Sequence, residues 1–178
     1  ETAIIANERF VPHFRHELRD LDVEILPSPE PQGTAGELLL HRARIGGRFL
    51  VHYADELTGV DLRELLLFHE SKANGIGTLA LVRNVPLEVG VVELRGERVV
   101  GFREKPPLDR PTWAGIAVLE PEILEFINPK EDFARDVFPR VIGAGRRLYG
   151  FISDAEWLDI GSLSHLRRAE EVFSRGSS

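Results

Sequence analysis

The feature that most constrains the fold is an alternation of strand-like and helix-like segments through the first 74 residues. "TAIIA" (2–6) and "DVEIL" (22–26) are short apolar runs of strand character. Between them "ERFVPHFRHELRD" spaces Phe10, Phe14 and Leu18 as one helical face, with Pro12 tolerable only in the first turn. The prolines of "PSPEPQG" end the second strand in an extended loop. "TAGELLLHRARI" then starts a helix, with Thr34 as N-cap and Glu37 three residues on as a capping box. "RFLVHYA" is a third strand and "DLRELLLFHESKAN" a third helix. Strand, helix, strand in this order implies right-handed crossovers and a parallel sheet with helices on both faces.

From residue 76 the pattern becomes strand-rich. "IGTLALVR" is a strand, and "GVVELRGERVVGFREK" reads as a β-hairpin turning at Arg-Gly-Glu. "WAGIAVLE", "RLYGFIS" and "EWLDIG" are further strands; "PEILEFI", "EDFARDVFPRVIGA" and "SLSHLRRAEEVFSR" are helices, and the final "GSS" is a frayed end. The expectation is one α/β domain over residues 1–178: a Rossmann-like, doubly wound, mixed and mainly parallel sheet, with the hairpin-rich half set over its carboxyl edge.

Composition narrows the function. A net charge of −7 argues against a surface built to neutralise nucleic-acid phosphates. The absence of cysteine removes thiolate metal sites and cysteine nucleophiles, and fits a cytoplasmic protein. No apolar run approaches the roughly 20 residues of a membrane-spanning helix. His13 and His16 have no third ligand at zinc-like spacing and read as surface residues, and no G-x-S-x-G elbow or P-loop occurs.

In open α/β sheets ligands bind beyond the carboxyl ends of strands, and four stretches there carry usable chemistry. In "QGTAGE" two glycines permit close backbone approach, and the helix start offers N–H groups to oxygen atoms; an ordinary capped helix start has the same sequence. Asp55 ends the third strand, as a turn residue or as a hard oxygen ligand for magnesium. In "GFREKPP", Glu104 and Lys105 are a solvated charge pair or a hydroxyl acceptor beside a phosphate-binding point charge. Asp159 of "EWLDIG" stands before a glycine turn, where it can share a cleft with Asp55 or simply close the strand.

Taken in order, "GTAGE", "FLVHYADEL", "GVVEL", "FREKP", "WAGIAVLEPE", "RDVFPRVI" and "WLDIG" resemble the sugar-phosphate nucleotidyltransferases. The nearest types are the mannose-1-phosphate guanylyltransferase-like and glucose-1-phosphate thymidylyltransferase-like members. The resemblance implies the nucleotide-diphospho-sugar transferase fold and Mg2+ held by Asp55 and Asp159. It implies that Gly33, Thr34, Ala35 and Gly36 lie beside the nucleotide. Gly90, Glu104, Ala114 and Gly115 would surround the sugar, with Lys105 on its phosphate. The substrates would be a nucleoside triphosphate and a sugar 1-phosphate, with homo-oligomerisation open. A catalytically inactive, nucleotide-sugar-binding regulatory subunit is the alternative.

The sequence departs from the family pattern at His52-Tyr53-Ala54, where a small residue or asparagine and then glycine usually precede the metal aspartate, and at Trp113, where asparagine is common. "TAIIA" corresponds to the second strand of the family, so the resemblance places a first strand and a glycine-rich triphosphate loop ahead of Glu1.

Overall fold

The computed structural model describes residues 1–174; the closing Gly-Ser-Ser lies outside them. Ten strands and five α-helices follow in order: β1 (Ala3–Asn7), α1 (Val11–Glu17), β2 (Glu24–Ser28), α2 (Gly33–Leu40), β3 (Phe49–His52), β4 (Glu56–Thr58), α3 (Leu62–Glu70), β5 (Gly75–Val82), β6 (Val91–Arg95), β7 (Arg98–Arg103), β8 (Thr112–Leu119), α4 (Phe138–Gly143), β9 (Arg147–Ser153), β10 (Trp157–Asp159) and α5 (Leu163–Ser174). They gather into two compact units, Glu1–Phe49 with Asn74–Ile76 and Leu119–Leu148, and Leu50–Ala73 with Gly77–Val118 and Tyr149–Ser178.

In the first unit β1 and β2 form a parallel pair, Ala3 opposite Glu24 through Asn7 opposite Ser28. Helix α1 makes the crossover, with Pro12 in its first turn as the sequence required. Its Val11, Phe14 and Leu18 pack on Ile4, Ala6, Val23 and Ile25. Strand β2 runs through Pro27 instead of ending before it. Among the described residues it pairs with β1 alone, so a residue without an N–H sits at an edge and breaks no ladder. The helix expected over "EDFARDVFPRVIGA" is divided: a π-turn at Phe133–Val137 precedes α4, whose Pro139 occupies the start. The wide turn lets Val137 donate to Asp132 and stacks the buried Phe133 against Phe138, with 5.3 Å between ring centroids.

The second unit contains the body of a four-stranded sheet in the order β3-β8-β5-β9. The third strand therefore pairs with β8 and does not extend the β1–β2 pair, as simple alternation predicts. Val60, Leu65, Ala80, Val82, Ala114, Ile116 and Val118 form its core. Asp61 starts α3 by accepting from the N–H groups of Arg63 and Glu64. Strands β6 and β7 form the expected antiparallel hairpin around Gly96, with a bulge beside Glu93 and Leu94. One element was not foreseen: β4 follows the Asp55 turn at once and pairs antiparallel with β10. The mixture of parallel and antiparallel pairs gives a mixed α/β fold.

Candidate active site

Two aspartates that are distant in sequence are joined by the β4–β10 ladder. Strand β3 ends at His52, and Tyr53–Glu56 make a tight turn in which Glu56 N–H donates to Tyr53 O at 3.2 Å. Asp55 sits in that turn. The ladder sets Asp159 directly opposite Glu56, and Ile160 N–H donates to Asp55 O at 2.8 Å. Both aspartates are exposed at the same end of the ladder. One oxygen of Asp159 accepts from Gly161 N–H at 2.7 Å, which fixes the carboxylate in its turn.

Glu56 is the residue that sequence reasoning missed. Its carboxyl is pushed up to about 7, first by burial and then by the negative charges of Asp55 and Asp159. Its Oε2 and Trp157 Nε1 are both buried without a well-formed hydrogen bond, and the indole N–H beside the carboxyl works in the opposite direction, drawing it down. The signal was the neighbouring acid in "ADEL", which a reading centred on Asp55 passed over. Gly115 makes room for it: φ is +71° there, and a Cβ would come within 2.7 Å of Glu56 Cγ and 3.1 Å of Tyr53 Cβ. Glu56 thus packs against a glycine that no larger residue could replace without displacement, with Asp55 and Asp159 as its charged neighbours.

The two departures from the family pattern meet here. Tyr53 N–H donates to Gly115 O at 3.0 Å, and the Tyr53 ring meets Trp113 edge to face, 5.0 Å between centroids. Trp113 Nε1–H donates to Ile116 O at 2.8 Å, which locks the indole. An aromatic wall stands where small and polar residues were expected.

Asp159 and Trp157 also line a groove of about 480 Å3, together with Arg83, Asn84, Glu88 and His165. Lys105 pairs with Glu88 at 2.5 Å. Residues 85–88 and 105–108 are tied by Leu87 N–H to Pro106 O and Leu108 N–H to Val85 O, so this lysine is positioned by backbone pairing. Its φ of +44°, unusual for a residue other than glycine, marks a strained point before Pro106. Gly90 and Glu104 come together as expected: a Cβ on Gly90 would lie 3.1 Å from Glu104 Oε2, and 2.6 Å from the Phe102 ring.

Two expectations are corrected. Ala114 is fully buried in the core, so it presents no surface to a sugar. The N–H groups at the start of α2 are not free. Thr34 N–H donates to Asp132 Oδ1 (3.0 Å), and those of Ala35 and Gly36 both donate to Glu131 O (3.0 and 3.1 Å). Thr34 is not the N-cap; its hydroxyl sits between Asp132 Oδ1 and Phe133 N–H, while Glu37 reaches back to Gln32 N–H. Gly33, at φ +75°, gives the Glu131 carbonyl its place: a Cβ would lie 2.5 Å from that oxygen.

Asp55 and Asp159 carry exposed carboxylates, hard oxygen donors at the same end of the ladder. Among the described residues no group of three or more His, Cys, Asp or Glu side chains is arranged to hold a metal ion, and no helix is long and apolar enough to cross a membrane. Two protein carboxylates with substrate oxygens completing the shell is the usual magnesium arrangement.

Comparison with known proteins points to one family. The sequence pattern of the nucleotidyl transferase family matches residues 1–175. A mannose-1-phosphate guanylyltransferase of Mycobacterium tuberculosis is 33% identical over an alignment of 171 positions that covers 89% of this chain and 44% of that protein. Mannose-1-phosphate guanylyltransferase 1 of Arabidopsis thaliana is 31% identical over 85% of this chain and 44% of its own length. The chain thus spans less than half of these relatives. A Bacillus anthracis structure described as a candidate glucose-1-phosphate thymidylyltransferase superposes with a TM-score of 0.70 at 19% identity, covering 96% of this chain and 74% of that one.

Proposed function

The chain belongs to the nucleotidyl transferase family, and from that premise we propose that it serves a sugar-1-phosphate nucleotidyltransferase of the mannose-1-phosphate guanylyltransferase type. The observation that carries the reading is the β4–β10 ladder, which sets Asp159 opposite Glu56 and bonds Ile160 to Asp55. An oxygen of the sugar 1-phosphate attacks the α-phosphorus of a nucleoside triphosphate; the bond to the bridging oxygen breaks and pyrophosphate leaves. The attacking oxygen is already anionic at neutral pH, so no general base is needed. Asp55 and Asp159 would hold Mg2+, which when bound neutralises charge around the α-phosphate. Lys105 exchanges Glu88 for the sugar phosphate and orients it. Glu104 accepts hydrogen bonds from sugar hydroxyls beside Gly90, and Gly115 shapes the wall that Tyr53 and Trp113 line. Positioning and electrostatics supply the rate.

Gly33–Gly36 is assigned to the nucleotide on the strength of the family pattern. With its N–H groups committed, that contact would use carbonyl oxygens and van der Waals packing. The reading also takes residues 1–178 as one nucleotidyltransferase domain in a cytoplasmic protein. Pyrophosphate release from GTP and mannose 1-phosphate, dependent on magnesium and lost in Asp159→Asn, is the expected result. Nucleotide-sugar binding without turnover by the natural full-length protein would favour the regulatory subunit instead.

A further inference from the structure

The turn that carries Asp55 is tied down at its start, its centre and its end. At the start Tyr53 N–H donates to Gly115 O of β8 at 3.0 Å, and at the centre Asp55 O accepts from Ile160 N–H at 2.8 Å. At the end the His52 ring reaches across the turn, with Nε2 3.1 Å from Glu56 O. A carbonyl only accepts, so this nitrogen carries the proton. The Tyr53 ring adds a further hold, edge to face on Trp113, and the indole is fixed by its own donation to Ile116 O. A tight turn needs none of these side chains. It closes through Glu56 N–H to Tyr53 O, and glycine or asparagine suits such a place best. His52 and Tyr53 stand there instead, and each spends its ring on the turn.

We propose that His52, Tyr53 and Trp113 are positioning residues, which hold the Asp55 turn in its working geometry before any ligand arrives. The proposal rests on the reading of Asp55 as a residue of the reaction. A carboxylate on a loose turn has to be ordered each time it is used, and a displacement of about 1 Å in a reacting constellation can cost about a hundredfold in rate. With both ends and the centre held, the turn has given up that freedom in advance. Gly115 lets the turn come close: a Cβ there would lie 3.1 Å from Tyr53 Cβ, so Tyr53 packs directly on the backbone of β8. The rings of Tyr53 and Trp113 work as one device, because removing either leaves the other without its edge-to-face partner. The His52 ring secures the same turn from the β3 side, independently of that pair.

The test uses the natural full-length protein, first by amide hydrogen exchange without nucleotide, sugar phosphate or divalent ions. In His52→Ala and in Tyr53→Ala the amides of Glu56 and Ile160, whose acceptors lie in the turn, should exchange at least about tenfold faster. The Leu65 amide, bonded to Asp61 O in α3, should stay within about twofold. In turnover of GTP with mannose 1-phosphate both variants should lose at least about tenfold in kcat, with KM for mannose 1-phosphate within about threefold. Tyr53→Phe, which keeps the ring, should recover most of what Tyr53→Ala loses. Tyr53→Ala/Trp113→Ala should fall within about threefold of the worse single variant. Asp55→Asn separates the two ways of failing. Full activity in that variant removes Asp55 from the reaction and the proposal with it. An inactive Asp55→Asn beside His52→Ala and Tyr53→Ala with natural kcat, or with natural exchange in the turn, leaves Asp55 in place and overturns the positioning role. Equal acceleration at Leu65, the mark of general destabilisation, overturns it too.

Discussion

Glu131 and Glu56 both lie against a glycine at positive φ whose missing Cβ makes room for them, and their environments are opposite. Beside Gly33, the Glu131 side chain is gripped by the Arg140 guanidinium and by the side chain and backbone of Asn128, which hold its carboxyl down to about 2. Its carbonyl receives the N–H groups of Ala35 and Gly36. Beside Gly115, Glu56 has Asp55 and Asp159 for neighbours, a buried oxygen with no well-formed hydrogen bond, and a carboxyl pushed up to about 7 against the pull of the Trp157 indole. One region spends its polar groups on itself. The other gathers acids without a cation beside them, the arrangement in which a perturbed carboxyl marks a candidate functional site.

The largest effect that would break this contrast is on catalysis. Asp159→Asn should lower pyrophosphate release at least a thousandfold while leaving the thermal midpoint unchanged or higher, because a like charge beside Glu56 is gone. A matching loss of stability would make the acid structural. Gly33→Ala should do the reverse, costing about 3 kcal/mol in urea denaturation through positive φ and the collision with Glu131 O. Thr34→Val, which strands the Phe133 N–H and loses the contact to Asp132, should cost about 1–2 kcal/mol.

Subtler is the pH dependence, where the two carboxyls act with opposite sign. Glu131, lowered from 4.5 to about 2, contributes stability that is complete above pH 4.5 and lost as pH falls through 2. Glu56, raised from 4.5 to about 7, costs nothing below pH 4.5; stability then declines as pH rises to 7 and is level beyond. Denaturation curves across pH should show Glu131→Gln flattening the acid limb and Glu56→Gln flattening the neutral one. Millimolar magnesium should reduce the Glu56 dependence by drawing off the neighbouring charge.

Much of the second unit was legible because its signals are local. "ELRGER" has to turn, and "WAGIAVL" is too uniformly apolar to be anything but buried, the same fact that removes Ala114 from the surface. The two aspartates were legible only through their motifs. What escaped depends on distant partners. The donors at α2 look free until Asp132, 98 residues on, is folded against them. Strand β4 is only three residues, too short for its alternation to register, and it pairs with β10 alone among the described residues. The burial that shifts Glu56 is likewise a tertiary property that no neighbouring residue announces.

That dependence on β10 gives the acid pair a history. Thr58 reaches Glu156 across 98 residues of chain, so the two aspartates do not face a common space until one of the longest loops in the molecule has closed. Partly folded chains would carry both acids and no site. A divalent ion held by the pair would then select chains whose ladder has formed, and withdraw them from unfolding by mass action. The metal proposed for catalysis would double as a check that the fold is complete.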